Sequence, residues 1–162
     1  MVREILLLGN EALYEKSEPV SQAELPGMAD VVGELHDTLM AFRAQYGAGR
    51  AIAAPQIGVP KRLIYMNVGE PVVLVNPVLR FPDGALMKVL DDCMSFPGLY
   101  VNVMRHARCA IQFRDMDWAE RELSLEGDLS ELIQHEYDHL DGILATMRAM
   151  DEKAFVMKRR GG

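Results

Sequence analysis

Nowhere does this sequence run apolar for long enough to cross a membrane. Its opening, Met1-Val2-Arg3-Glu4-Ile5-Leu6-Leu7-Leu8, is cut short by Gly9-Asn10 and lacks the plan of a signal peptide. The expectation is a cytoplasmic protein with no membrane partner. Positive charge is also in deficit: 17 Lys and Arg stand against 24 Asp and Glu, a formal net charge of −7. That balance argues against non-specific binding to nucleic acid or to an anionic surface. Cysteine is scarce. Cys93 and Cys109 allow one disulfide at most, and in a reducing compartment a free thiol or a metal thiolate is the better expectation. There are no internal repeats and no low-complexity linker. The 162 residues are 49% hydrophobic, enough for one domain with a sizeable core and too few to expect two.

What the chain does have is concentrated in Ile133-Gln134-His135-Glu136-Tyr137-Asp138-His139-Leu140, which holds two of its four histidines. Residues four apart on a helix lie one turn above each other, so both imidazoles can grip one metal ion. The glutamate, about a hundred degrees round the helix, can take a proton from a bound water. The spacing predicts a helix over 127–142, with Asp128 as a candidate N-terminal cap and Gly142 near its end. Leu129, Leu132, Ile133, Tyr137 and Leu140 are its expected buried stripe.

Elsewhere the pattern is coarser. Val31, Val32, Leu35, Leu39 and Phe42, with Met28, recur at three and four and predict an amphipathic helix over 28–42. His36 on it reads as structural or solvent-facing, not as a ligand. The small residues around Gly47, Gly49 and Ala51-Ile52-Ala53-Ala54 imply close backbone packing. Residues 63–67, 72–76, 78–81 and 87–90 read as short strands, the second and third separated at Pro77. Residues 107–115 alternate, with Cys109, Ile111 and Phe113 on one face, so Cys109 is expected in the core. Residues 17–26 read as an irregular entry segment, and about 151–162 as a short basic tail.

A hydrolytic metal needs a third protein ligand and an open position. The metallopeptidase pattern with a third histidine six residues on fails here, because that position is Ala145. Glu152 and Cys93 remain, and Cys93 can equally be read as a small buried hydrophobe.

Three stretches in order resemble the motifs of the peptide deformylase family. They are Gly49-Arg50-Ala51-Ile52-Ala53-Ala54-Pro55-Gln56, Asp91-Asp92-Cys93-Met94-Ser95, and Gln134-His135-Glu136-Tyr137-Asp138-His139. Phe96-Pro97-Gly98 and Val103-Met104-Arg105 are in the family's style as well. The resemblance implies an α+β fold, with small antiparallel sheets packed around the central metal-binding helix. It implies Cys93, His135 and His139 as metal ligands, Glu136 as general base and then acid, and Gln56 with the backbone N–H of Met94 as donors to a developing oxyanion. The family most often uses ferrous iron, and one thiolate with two imidazoles also suits zinc, nickel or cobalt. Its members remove the formyl group from the N-terminal formyl-methionine of nascent polypeptides. Ribosome docking through a C-terminal extension and direct nucleic-acid binding are not expected.

The departures from the family sit beside the metal. Ala51 replaces a glycine, and Asp91-Asp92 replaces Glu-Gly, so a shorter carboxylate must contact Arg105 or a metal ligand. Arg50, Asp128 and Glu131 stand where the resemblance implies apolar walls of the substrate pocket. Either Asp128 caps the helix, Glu131 faces water and Arg50 is a surface charge, or the three line an altered pocket. A non-catalytic relative that keeps fold and metal is the alternative to an active hydrolase. An endopeptidase fits Ala145 poorly.

Overall fold

The computed structural model describes residues 1–159. Two α-helices, α1 (Met28–Tyr46) and α2 (Asp128–Leu140), are combined with eight strands. The strands are β1 (Ala51–Ala53), β2 (Leu63–Val68), β3 (Glu70–Arg80), β4 (Leu86–Asp91), β5 (Leu99–His106), β6 (Arg108–Arg114), β7 (Glu120–Glu126) and β8 (Phe155–Met157). They form a five-stranded sheet in the order β1-β2-β3-β6-β7 and a three-stranded sheet in the order β4-β5-β8. Neighbours pair antiparallel throughout. The expected α+β architecture is what the chain adopts. Helix α2 lies between the sheets, against β1 and β7 of one and β5 of the other. Among the described residues no helix is long and apolar enough to cross a membrane.

Helix α1 buries Leu35 and Leu39 fully, with Val31, Val32 and Phe42 packed around the same cluster. It runs a turn past the predicted end, since Arg43-Ala44-Gln45 are good helix formers. It stops where Gly47 takes a left-handed φ of 69° and returns its N–H to the Arg43 carbonyl. His36 is structural: its Nδ1 meets the Tyr65 hydroxyl at 2.6 Å.

The two strands expected either side of Pro77 are one. The ladder of β3 with β6 is irregular between Val75 and Val78, and Pro77 sits inside that interruption, where its missing N–H costs no ladder bond. Asn76 there has a φ of 51°, which asparagine tolerates well. Its side chain accepts from Val20 N–H and donates to Val20 O, tying the entry segment to the sheet.

Besides the short β1, whose small residues read only as close packing, three strands escaped the sequence reading. β5 turns Val101, Val103 and Arg105 inward, and a charge in that inward set disguises the alternation. β7 is polar over most of its length. β8 pairs Phe155 with Val101, so the expected tail is ordered through Met157. The tail's last residues, 160–162, lie outside the described residues.

Asp128 does not cap α2. The cap position is Gly127, with a φ of 60° and no side-chain cap bond, and Asp128 is the exposed first residue of the helix. At the other end Gly142 has a φ of 73°, and a Cβ there would lie 2.3 Å from the Tyr14 carbonyl oxygen. Gly142→Ala should therefore destabilise the protein by about 1–3 kcal/mol, read as a lower urea midpoint at unchanged slope.

Candidate active site

The three motifs meet along one face of α2. His135 and His139, four residues apart, stack their rings edge to face with centroids 5.0 Å apart. The loop after β4 brings Cys93 over them, with its Sγ 3.3 Å from His139 Nε2. One donor atom from each of Cys93, His135 and His139 lies within 4.8 Å of the others, and all three residues are buried. Donors around a tetrahedral ion with ordinary Zn–S and Zn–N bonds are separated by about 3.3–3.6 Å. One thiolate and two imidazoles at this spacing fit a divalent ion after small closing movements. Glu152 is exposed and takes no part, while Cys109 is free and buried in the core, as expected.

Two of the three ligand candidates are held from behind, while His139 Nδ1 is buried with no hydrogen-bond partner among the described residues. His135 Nδ1 donates to Asp91 at 3.1 Å, which leaves Nε2 for the centre. Ser95 N–H and the Gln56 side-chain amide point at Cys93 Sγ, at 3.4 and 3.6 Å. Asp91 also accepts from Arg105 Nη2 at 2.8 Å, so the aspartate that replaces the longer glutamate reaches both the arginine and the histidine. Burial alone would raise the Asp91 carboxyl, but the charges and hydrogen bonds of His135 and Arg105 hold it down at about 2. Burial works against a charged His135 too, yet Asp91 and Cys93 keep its pKa well above the ordinary value. Asp91→Asn weakens both contacts, and metal retained after dialysis should correspond to about 10–100-fold lower affinity.

The network continues to the surface through residues that carried no role in the sequence reading. Arg105 Nη1 donates to Asp138 at 2.7 Å, and Asp138 accepts two further bonds from Arg148. Asp138 lies inside the helix motif at one of its variable positions, and Arg148 lies ten residues further on. No spacing rule marks either. Gln134, also within the motif, ties α2 to the end of β5: its Oε1 accepts from His106 N–H and its Nε2 donates to His106 O.

Glu136 is buried beside the ligands, and burial pushes its carboxyl up to about 7. That is where a group exchanging protons at neutral pH works best. Across from it Gln56, 1% exposed, has its orientation set by Ala53 N–H donating to Oε1 at 3.0 Å and by Nε2 donating to Ser95 Oγ at 3.1 Å. The Gln56 amide therefore presents N–H, and not carbonyl, towards Cys93.

These groups line a cleft of about 370 Å³ that also includes Arg50, Ala51, Met94 and Glu131. Asp128 is not among its walls. Of the three charges considered for an altered pocket, two are brought together: Arg50 Nη2 meets Glu131 Oε1 at 3.0 Å. The Glu131 side chain is only 12% exposed, so it does not face water. Burial, followed by the nearby charge of Asp91, raises its carboxyl against the pull of Arg50.

Comparison with known proteins follows the same lines. The family model described as polypeptide deformylase matches residues 2–155. A peptide deformylase of Maricaulis maris is 39% identical over 150 residues, covering 88% of this chain and 82% of the relative. Among solved structures, the peptide deformylase of Thermotoga maritima superposes with a TM-score of 0.85 at 27% identity, over 93% of this chain and 99% of that one. A class I type b peptide deformylase of Acinetobacter baumannii, solved with Met-Ala-Ser bound, gives 0.83 at 25% identity over 91% and 98%. A match that runs through every element around α2 leaves one assignment: this chain belongs to the polypeptide deformylase family.

Proposed function

We propose that the chain is a metal-dependent hydrolase that removes the N-formyl group from the N-terminal formyl-methionine of nascent polypeptides and releases formate in the cytoplasm. Cys93, His135 and His139 hold one divalent ion in this reading, ferrous iron in the native protein, with zinc, nickel or cobalt compatible with the same donors. The observation that carries it is the meeting of Cys93 and His135 with a buried carboxylate, Glu136, and a fixed amide donor, Gln56, on the walls of a single cleft, with buried His139 against Cys93.

When bound, the ion supplies a water of lowered pKa and a polarising charge next to the formyl oxygen. The rest belongs to side chains. Glu136 takes the proton of the attacking water and later delivers it to the departing amine, so one carboxyl serves as base and then as acid. The Gln56 amide and the Met94 backbone N–H donate to the oxygen on which charge develops. Gln56 is held by Ala53 and Ser95, and the second N–H of its amide, turned toward Cys93, is the one that gives that bond. A formyl carbon carries only hydrogen, so it fits a site this crowded, and Ala51 on the cleft wall adds one methyl to the crowding. A binding module would need neither the base nor the donor, which weighs against a non-catalytic relative.

The direct test is formate release from formyl-Met-Ala-Ser by the iron-loaded protein under anaerobic conditions, since air oxidises both iron and thiolate. Turnover that is lost on chelation and returns with iron is the expected result, and a metal-replete protein that releases no formate would sink the reading. Replacing Gln56 with leucine should lower kcat by about 10²–10³ while KM changes little.

A further inference from the structure

Away from the catalytic groups the cleft is not an apolar slot. Glu131 stands on α2 one turn before His135, and Arg50 leads into β1 opposite it. Their ion pair at 3.0 Å forms part of the wall, and Leu132 and Phe42 add apolar surface beside it. This inference rests on the deformylase reading. A formyl group held between Glu136 and Gln56 leaves the adjoining side chain in the same cleft, within reach of that pair.

The pair treats different side chains unequally. A thioether laid over it removes water from two charged groups and returns no hydrogen bond. A carboxamide or hydroxyl can accept from a remaining Arg50 N–H and donate to the second oxygen of Glu131, replacing the water it displaces. A charged side chain must compete with one member of the pair for the other. The most compatible occupant is thus a neutral group that both donates and accepts. The raised pKa of the Glu131 carboxyl agrees with a wall that is already short of solvent.

We propose that the Arg50–Glu131 pair determines specificity for the first side chain, so that N-formylated peptides beginning with a neutral hydrogen-bonding residue such as Gln are substrates alongside formyl-Met. The experiment compares kcat/KM for formyl-Met-Ala-Ser and formyl-Gln-Ala-Ser using the iron-loaded full chain, with calorimetric binding of the unformylated peptides Met-Ala-Ser and Gln-Ala-Ser beside it. Wild type should treat the two first residues within about tenfold in both measurements. The double variant R50L/E131L should raise the Met-to-Gln ratio by about tenfold or more. A larger wild-type preference for Met, or a ratio that the double variant leaves unchanged, overturns the proposal. The wild-type comparison decides it even if the double variant does not fold. Absence of formate from every peptide would overturn the deformylase reading, and the calorimetric comparison would still decide the pocket.

Discussion

Glu136→Ala should release formate at a rate about 10²–10⁴-fold below wild type while retaining its metal. The two halves of this result come from different atoms. Asp91 holds His135, and Ser95 and Gln56 hold Cys93, which in turn meets buried His139, and none of those contacts passes through Glu136. Removing the carboxylate takes away the proton acceptor and leaves the donor set in place. Glu136 is also 2% exposed with its carboxyl raised by burial, so its truncation relieves a desolvated group and should not unfold the protein. Metal content by emission spectroscopy and formate release on the same sample check both halves. A variant that lost its metal would instead make Glu136 a structural support of the centre.

The second large effect is on stability. Arg105 is 3% exposed and bridges two buried carboxylates, Asp91 at 2.8 Å and Asp138 at 2.7 Å. Arg105→Ala leaves both without their shared partner in a low-dielectric interior, and breaking a buried pair in this way costs about 3–5 kcal/mol. Chemical denaturation should show the loss. Asp91, whose folded pKa is depressed from 3.8 to about 2, contributes stability that is present above pH about 4 and lost as pH falls through about 2. The gap between wild type and variant should accordingly narrow in acid. The variant should lose metal affinity too, because Asp91 is the group that orients His135.

Much of this was legible without coordinates, and the reason is local geometry. Two histidines four apart on a helix share a face in almost any fold, so His135 and His139 could be paired from spacing alone. The stripe that defines α1 has the same origin. Strands with clean alternation, such as β6, were equally readable, and Cys109, Ile111 and Phe113 are buried together as that alternation requires. Where a strand carries a buried charge, as β5 does with Arg105, or turns mostly polar residues to water, as β7 does, the period-two signal disappears. Pro77 misled in the opposite direction. A proline ends a strand only where its N–H is needed, and the irregularity at Asn76 removes that need.

The sequence by itself determined that two imidazoles share a helix face with a glutamate next to one of them, and its resemblance to the family implied Cys93 as the third ligand and Gln56 as a donor. Only the tertiary structure decided which charges belong to the cleft. Asp128 and Glu131 are three residues apart on one helix, and their spacing treats them alike. The chain leading into β1 brings Arg50 to Glu131 alone, and the end of α2 that carries Asp128 stays in water. Likewise Asp91, Arg105, Asp138 and Arg148 become one connected network because β4, β5 and α2 converge behind His135. Spacing along a helix is set by covalent geometry. The partner a charge finds across the fold is set by packing between elements distant in sequence, and no local rule encodes it.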